Sequence, residues 1–172
     1  MSVQTTQQKS EATAAEDRRA GKYLTFFLGD EEYGLEILKV KEIIGMMRVT
    51  AVPRMPGYVK GVINLRGKVI PVVDLRSKFG MPEAEYTWET CIIVVDVLGS
   101  LIGIVVDRVS EVLDIHGEDI EDPPNVGASV DTSFVLGMGK TKGNVSILLD
   151  IDKVLSDADY MELLNAAASE NP

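Results

Sequence analysis

Cysteine is nearly absent from this chain of 172 residues: Cys91 is the only one, so no intrachain disulfide can form and a reducing compartment is expected. It lies in the apolar stretch Cys91–Val97, where a buried small hydrophobe is the simpler reading than a reactive thiol. Histidine is as scarce. His116 stands alone beside Gly117 in an acidic stretch, with no Ser or Cys nucleophile motif near it, which favours a solvated turn over a general base. Aromatic residues make up 6% of the chain, and the basic stretch from Ile43 to Val73 holds only Tyr58, too few for stacking single-stranded bases. No apolar run approaches the roughly 20 residues that cross a bilayer. Residues Met1–Ala20 lack the apolar segment of a secretory signal and are expected to form a disordered tail. These absences point to a soluble cytoplasmic protein that is not an enzyme and uses no metal and no cofactor.

Three short patterns are better explained by turns than by ligands. Gly139-Lys140-Thr141 mimics the end of a phosphate-binding loop, but Phe134 stands where that pattern needs glycine, so a hairpin turn is expected. Asp114, Glu118, Asp119, Glu121 and Asp122 fit no calcium-loop spacing, and Pro123-Pro124 follows them. Asp150 and Asp152 resemble a metal motif in isolation, yet Asp150 aligns with Asp74, and a shared turn-stabilising Asp accounts for both.

That alignment belongs to an internal repeat. Gly34-Leu35-Glu36-Ile37 through Ile44 matches Gly103-Ile104-Val105-Val106 through Leu113 at an offset of 69. Val69-Ile70-Pro71-Val72-Val73-Asp74-Leu75 matches Val145-Ser146-Ile147-Leu148-Leu149-Asp150-Ile151 at an offset of 76. Matching blocks in one order imply a single supersecondary unit used twice. A unit of about 70 residues buries too little surface to stand comfortably alone, so the copies are expected to pack together.

The net charge of −10 is unevenly spread. Residues 21–82 carry ten Lys and Arg against six Asp and Glu, whereas residues 83–172 carry four against eighteen. Between Ile43 and Val73 stand Arg48, Arg54, Lys60, Arg66 and Lys68 with no acid among them. Either this is ordinary solvated surface, or each copy meets a different partner through complementary potentials. An acidic second half opposes binding along an extended polyanion, so no nucleic acid is expected.

Alternating apolar residues place strands at Tyr23–Leu28, Tyr33–Glu36, Glu42–Met47, Gly61–Leu65 and Val69–Asp74, with a helical turn at Leu38–Val40. Pro71 argues for an edge or a bulge in the last of them. The second copy repeats the pattern over Thr90–Val97, Leu101–Val106, Glu111–Ile115, Phe134–Met138 and Val145–Leu149. Ser156-Asp157-Ala158-Asp159 opens an amphipathic helix expected over Asp157–Ala168. Short strands with Gly-rich turns give an all-β barrel class.

The segment from Tyr58 to Gly80, with its string Lys60-Gly61-Val62-Ile63-Asn64-Leu65-Arg66-Gly67-Lys68-Val69-Ile70-Pro71-Val72-Val73-Asp74-Leu75-Arg76-Ser77-Lys78-Phe79, closely resembles the CheW family of bacterial chemotaxis coupling proteins. Tyr23–Leu28, Glu42-Ile43-Ile44 and Gly103–Asp107 support the likeness, which runs from about Lys22 to Leu155. The resemblance implies two five-stranded SH3-like β-barrel lobes packed on a shared core, lobe one at about 21–82 and lobe two at about 83–155. Residues 1–20 would be a tail, and 156–172 a C-terminal helix and tail. It further implies a non-enzymatic adaptor that couples the cytoplasmic tips of methyl-accepting chemoreceptors to the regulatory domain of the CheA histidine kinase. Such an adaptor is cytoplasmic, recruited to membrane-bound receptor arrays without entering the membrane, and a monomer alone with weak ring-type self-association. Whether the pathway serves flagellar chemotaxis or another chemosensory response stays open.

Carried over residue by residue, the resemblance marks Glu42 and Arg66 as coupling positions and Val40 as a partner contact. Gly61, Asn64, Leu65 and Gly67 match the shared strand and turn. Receptor-facing candidates in the second copy are Gly103, Val105, Val106 and Gly137. Exposed apolar residues near Ile37, Val40 and Ile43 are expected at one docking face. Glu42 and Arg66 either pair on neighbouring strands or meet partners separately.

Overall fold

The computed structural model describes residues 17–124 and 132–154; the helix expected over Asp157–Ala168 and tail residues 1–16 lie outside them. The first copy supplies β1 (Gly21–Leu28), β2 (Glu31–Glu36), a 3-10 turn (Ile37–Lys39), β3 (Val40–Gly45), β4 (Val59–Leu65), β5 (Lys68–Asp74) and a one-turn helix α1 (Leu75–Lys78). The second supplies β6 (Cys91–Val97), β7 (Ser100–Val106), β8 (Arg108–Ile115), a 3-10 turn (Gly117–Asp119), β9 (Ile120–Glu121), β10 (Val135–Thr141), β11 (Asn144–Leu149) and α2 (Ile151–Val154). His116 is exposed and opens the second 3-10 turn, its carbonyl accepting the Asp119 N–H at 2.9 Å. Gly139-Lys140-Thr141 ends β10, and the turn itself follows directly, at Lys142-Gly143.

The strands form two sheets, ordered β8-β1-β2-β11-β10-β9 and β3-β6-β7-β5-β4. Applying the repeat offsets to the five-stranded order gives the first five strands of the six-stranded one, and the counterpart of β9 is the isolated Thr50–Val62 bridge. Yet neither is built from one copy. The β1–β2 hairpin joins β8, β10 and β11 of the second copy, and the β6–β7 hairpin joins β3, β4 and β5 of the first. A division of the barrels at residues 82/83 is therefore incorrect. Residues 40–106 form one barrel without a break, and the other is assembled from the chain on either side. The sequence shows the copies but not their exchange, because either hairpin presents the same alternation to either set of strands.

The exchange rests on four pairings between copies, antiparallel β1 with β8 and β3 with β6, and parallel β11 with β2 and β5 with β7. Each parallel pairing includes a glycine. A Cβ on Gly34 would sit 2.9 Å from Leu148 Cδ2, and one on Gly103 would sit 2.8 Å from Ile92 Cγ2 and 3.5 Å from Val72 Cγ2. These are repeat-equivalent positions: at Gly34 the missing side chain lets β2 meet Leu148 of β11, and at Gly103 it makes room for Ile92 of the same hairpin. Pro71 lies in an interior strand and not at an edge: the β5–β7 ladder starts at Val72, so the absent proline N–H removes no bond from it.

Strand alternation sorts the core into three parts. Cys91, Ile93, Val95 and Val97 of β6 face a large cluster with Leu24, Phe26 and Leu28 of β1, between the sheets. Ile92 and Val94 face the other way, into the interior of the inserted barrel with Ile63, Ile70, Val72 and Val105. Tyr23, Ile115, Ile120 and Leu148 fill the second barrel. Burial raises the Cys91 thiol pKa, which keeps it protonated and inert.

Candidate functional site

The inserted barrel closes where the chain after β3 meets β4. Thr50 and Val62 exchange both backbone hydrogen bonds, at 2.8 and 2.9 Å. Gly61 makes the approach possible: a Cβ there would lie 2.0 Å from the Thr50 carbonyl oxygen, and its φ of +141° disfavours any side chain. Five residues on, β4 and β5 are joined by the two-residue turn Arg66-Gly67, both with positive φ (52° and 88°), the geometry that matches strand twist. Asn64 Oδ1 accepts the Gly67 N–H at 2.8 Å and fixes the turn. Arg66 is thus held in a left-handed conformation that arginine rarely adopts.

At this seam Arg66 and Glu42 form an ion pair through both terminal guanidinium nitrogens. They do not sit on neighbouring strands, since β3 and β4 are opposite edges of the sheet, and the pair spans the closure between them. The hydrogen bond to Glu42, with its charge, raises the Arg66 pKa. Arg66 is 70% exposed, and Ile43 beside Glu42 is 45% exposed. A salt-bridged, rigid turn next to an exposed isoleucine is a surface poised for contact.

The other barrel repeats this construction. Gly137 is the repeat equivalent of Gly61, and a Cβ there would meet Ile120 Cγ2 at 2.7 Å and the Glu121 carbonyl oxygen at 2.9 Å. The turn Lys142-Gly143 has φ of 51° and 78°. Lys142 pairs with Glu111 at 3.5 Å, and Val112 beside Glu111 is 51% exposed. Adding the repeat offsets to Glu42, Ile43 and Arg66 gives Glu111, Val112 and Lys142, so the signal for this second seam lies in the sequence arithmetic and was missed.

Several expected contact residues are packing residues. Gly61, Gly103, Val105, Val106 and Gly137 are all buried, the valines in the hydrophobic clusters and the glycines under backbone or side-chain crossings. In this structure none presents a side chain to a partner. Val40 and Ile37 are half-buried against the inter-sheet core, and Leu65 is half-buried against the inserted barrel's interior. Asn64 and Gly67 are exposed, and Asn64 acts on Arg66 through the turn. Two larger exposures went unforeseen: Leu38 at 87% and Trp88 at 92%. Nothing in their local alternation marks them, because both lie outside strands.

Between the barrels, rings of Phe26, Tyr33, Phe79 and Phe134 stack in series with centroids 5.3 to 5.8 Å apart. The outer three border a cavity of about 350 Å³, completed by Lys78, Val135 and Ile147. It is apolar with one cation at its edge, a shape that suits an amphipathic helix.

Ion pairs fasten each chain crossing to the opposite short helix. Arg76 on α1 grips Asp107 with two bonds of 2.6 and 2.8 Å, and Asp107 also accepts the Gly29 N–H at 2.7 Å. Burial pushes the Asp107 carboxyl up, but the Arg76 and Gly29 hydrogen bonds outweigh it and hold the pKa below the usual value. On the other side Lys39 pairs with Asp152 on α2 at 2.8 Å, which raises the Lys39 pKa. Asp74 and Asp150 each cap their own helix, accepting the N–H of Arg76 and Asp152 at 2.9 and 3.1 Å.

Comparison with known proteins identifies the family and the fold. The CheW-like domain family profile matches residues 22–159. The chain is 40% identical to the chemotaxis protein CheW of Klebsiella aerogenes, over 86% of this chain and 89% of that protein. It is 33% identical to protein FrzA of Myxococcus xanthus, over 86% and 92%. The crystal structure of scaffolding protein TtCheW from Thermoanaerobacter tengcongensis superposes with a TM-score of 0.75, at 37% identity, covering 81% of this chain and 95% of that one.

Proposed function

The chain belongs to the CheW-like domain family, and from that premise we propose that it is a chemotaxis adaptor linking a CheA histidine kinase to chemoreceptor tips. The observation that carries this reading is the inserted barrel's seam, where Arg66 is held at a positive φ, ion-paired in the open to Glu42, beside exposed Ile43. An ion pair this exposed adds little to the stability of the monomer, and the surface suits a protein face. The kinase regulatory domain docks there, with Ile43 desolvated at the centre and the ion pair fixing register. The apolar cavity beside Phe79 and Phe134 receives a receptor helix. Recruitment to receptor arrays at the membrane follows from that contact; among the described residues no helix is long and apolar enough to cross a bilayer.

The lobes also differ in charge once counted by barrel. Residues 40–106 hold eight Lys and Arg against six Asp and Glu, while residues 21–39 with 107–154 hold six against fourteen. Opposite fields favour unlike faces in the ring-type contacts of such adaptors and steer encounter at low salt.

Titrating the purified chain against the cognate kinase and receptor tips tests the proposal. Ile43→Asp should weaken kinase binding at least about tenfold with an unchanged melting temperature. Unchanged kinase affinity would remove the seam as its docking face. Val40→Asp is a poorer probe, because Val40 packs on the inter-sheet core and the fold would suffer.

A further inference from the structure

Trp88 is the chain's only tryptophan and is 92% exposed, yet its backbone is firmly held. Thr87-Trp88-Glu89-Thr90 is a turn that opens β6. The Thr90 N–H donates to the Thr87 carbonyl at 3.2 Å, and the Thr87 N–H donates back to Thr90 Oγ1 at 2.8 Å. Thr87 Oγ1 accepts the Glu89 N–H at 3.1 Å, and Thr90 is buried. Trp88 and Glu89 are thus the central residues at the tip of a braced turn. Upstream, the Met81 N–H donates to the Arg76 carbonyl at 2.8 Å, and Arg76 Nη1 donates to the Pro82 carbonyl at 3.0 Å, which ties the loop to α1. Residues 82–89 are exposed throughout and hold Glu83, Glu85 and Glu89 with no Lys or Arg. One exposed apolar side chain needs no explanation, but an indole on a braced turn between acids has the form of a contact anchor.

We propose that two copies of this chain pair weakly, each seating Trp88 in the other's inter-barrel cavity. That cavity, about 350 Å³, has room for an indole. Its wall is the outer end of the row of stacked rings, Tyr33, Phe79 and Phe134, to which an indole adds one more. Lys78 at its edge, 4.5 Å from the centroid of the Tyr58 ring, matches the acids that flank Trp88. Phe79 and Trp88 are nine residues apart, so one segment carries both the knob and part of the hole, and reciprocal seating closes as a two-fold pair. Each indole buries about 150–250 Å², so the two alone fall short of the roughly 1,000 Å² of a lasting interface, and the pairing depends on concentration. This contact lies apart from the seams at Arg66 and Lys142 and does not rest on the partners proposed for the adaptor. A receptor helix in the same cavity would exclude Trp88, so the pair is the form taken away from receptors.

Sedimentation of the full chain over rising concentration, with the emission of its one tryptophan read on the same samples, tests the pairing with neither kinase nor receptor present. Mass should climb from monomer toward dimer. Trp88 emission should move to shorter wavelength with the same midpoint, as the indole leaves water. Trp88→Ala should raise the dissociation constant at least about thirtyfold at an unchanged melting temperature, since the side chain is almost wholly in solvent. Lys78→Glu should raise it at least about fivefold, and adding Glu85→Lys with Glu89→Lys should bring it back, which a merely misfolded variant would not do. A monomer at every concentration overturns the proposal. So does a dimer that Trp88→Ala leaves intact, or an emission shift with no change in mass, which would place Trp88 in its own cavity.

Discussion

The two barrels share a construction and differ in how tightly their seams are held. In the inserted barrel, backbone crosses backbone at Gly61, and the ion pair above it is bidentate. In the other, Gly137 is crowded by the Ile120 side chain as well as by the Glu121 carbonyl, and Lys142 reaches Glu111 through a single contact of 3.5 Å. Arginine offers a planar fork where lysine offers a point charge, so the first seam fixes its turn and the second merely attracts it. Equivalent positions thus yield one rigid face and one adaptable face, which suits a molecule that meets unlike partners.

The glycines give the largest expected difference. Gly61→Ala should cost about 3 kcal/mol or more, since the obstructing atoms are backbone and the φ is unfavourable. Gly137→Ala should cost less, about 1–2 kcal/mol, because Ile120 is a side chain and the obstructing Glu121 carbonyl stands 2.9 Å away where the Thr50 carbonyl at Gly61 stands at 2.0 Å. Urea melts of the pair check this, and equal losses would dissolve the contrast between seams. Next come the crossings. Arg76→Ala should cost about 2 kcal/mol and Lys39→Ala about 1 kcal/mol or less, in proportion to their bonds and burial.

These two crossings also fail at opposite ends of the pH scale. The folded pKa of Asp107 is depressed, so its contribution is complete above its unfolded value of 3.8 and disappears as pH falls through the lower folded value. That of Lys39 is raised, so its contribution is complete below 10.5 and is lost as pH rises through the folded value. Melting Asp107→Asn and Lys39→Met beside the parent chain should show the first deficit shrinking only in acid and the second only in alkali.

Smaller effects on stability separate docking from folding. Glu42→Arg and Arg66→Glu should each abolish coupled kinase activation while melting as the parent does. The combined swap restores activation only if the pair acts as one unit, and continued failure means that each residue meets its partner directly. Lys142→Ala should move the melting temperature by no more than about 2 °C, and a larger shift would make the second seam as rigid as the first.

Much of this was legible in the sequence, and the rest was hidden for identifiable reasons. Alternation placed the strands, and the offsets of 69 and 76 exposed the duplication. The pairing of Glu42 with Arg66 was open from the residues alone, and the closure of the barrel brings them together. Exchange was invisible because the pattern of a β hairpin carries no label for its neighbour. Gly103 and Gly137 looked like surface contacts for a related reason: a glycine needed beneath a crossing strand reads the same in one dimension as a glycine left bare for a partner. The two-residue strand β9 was too short for any periodicity.

The exchange has a consequence for how such a molecule could arise. A single copy holds a hairpin and a three-strand set that lie in different barrels, so two separate chains of that kind would complete one another as an intertwined homodimer. Joining them end to end would preserve the architecture and free the halves to diverge. In one chain the two halves are no longer alike: the repeat position that holds Arg76 in the first holds Asp152 in the second. Each half still depends on the other, because neither sheet is complete without strands from both.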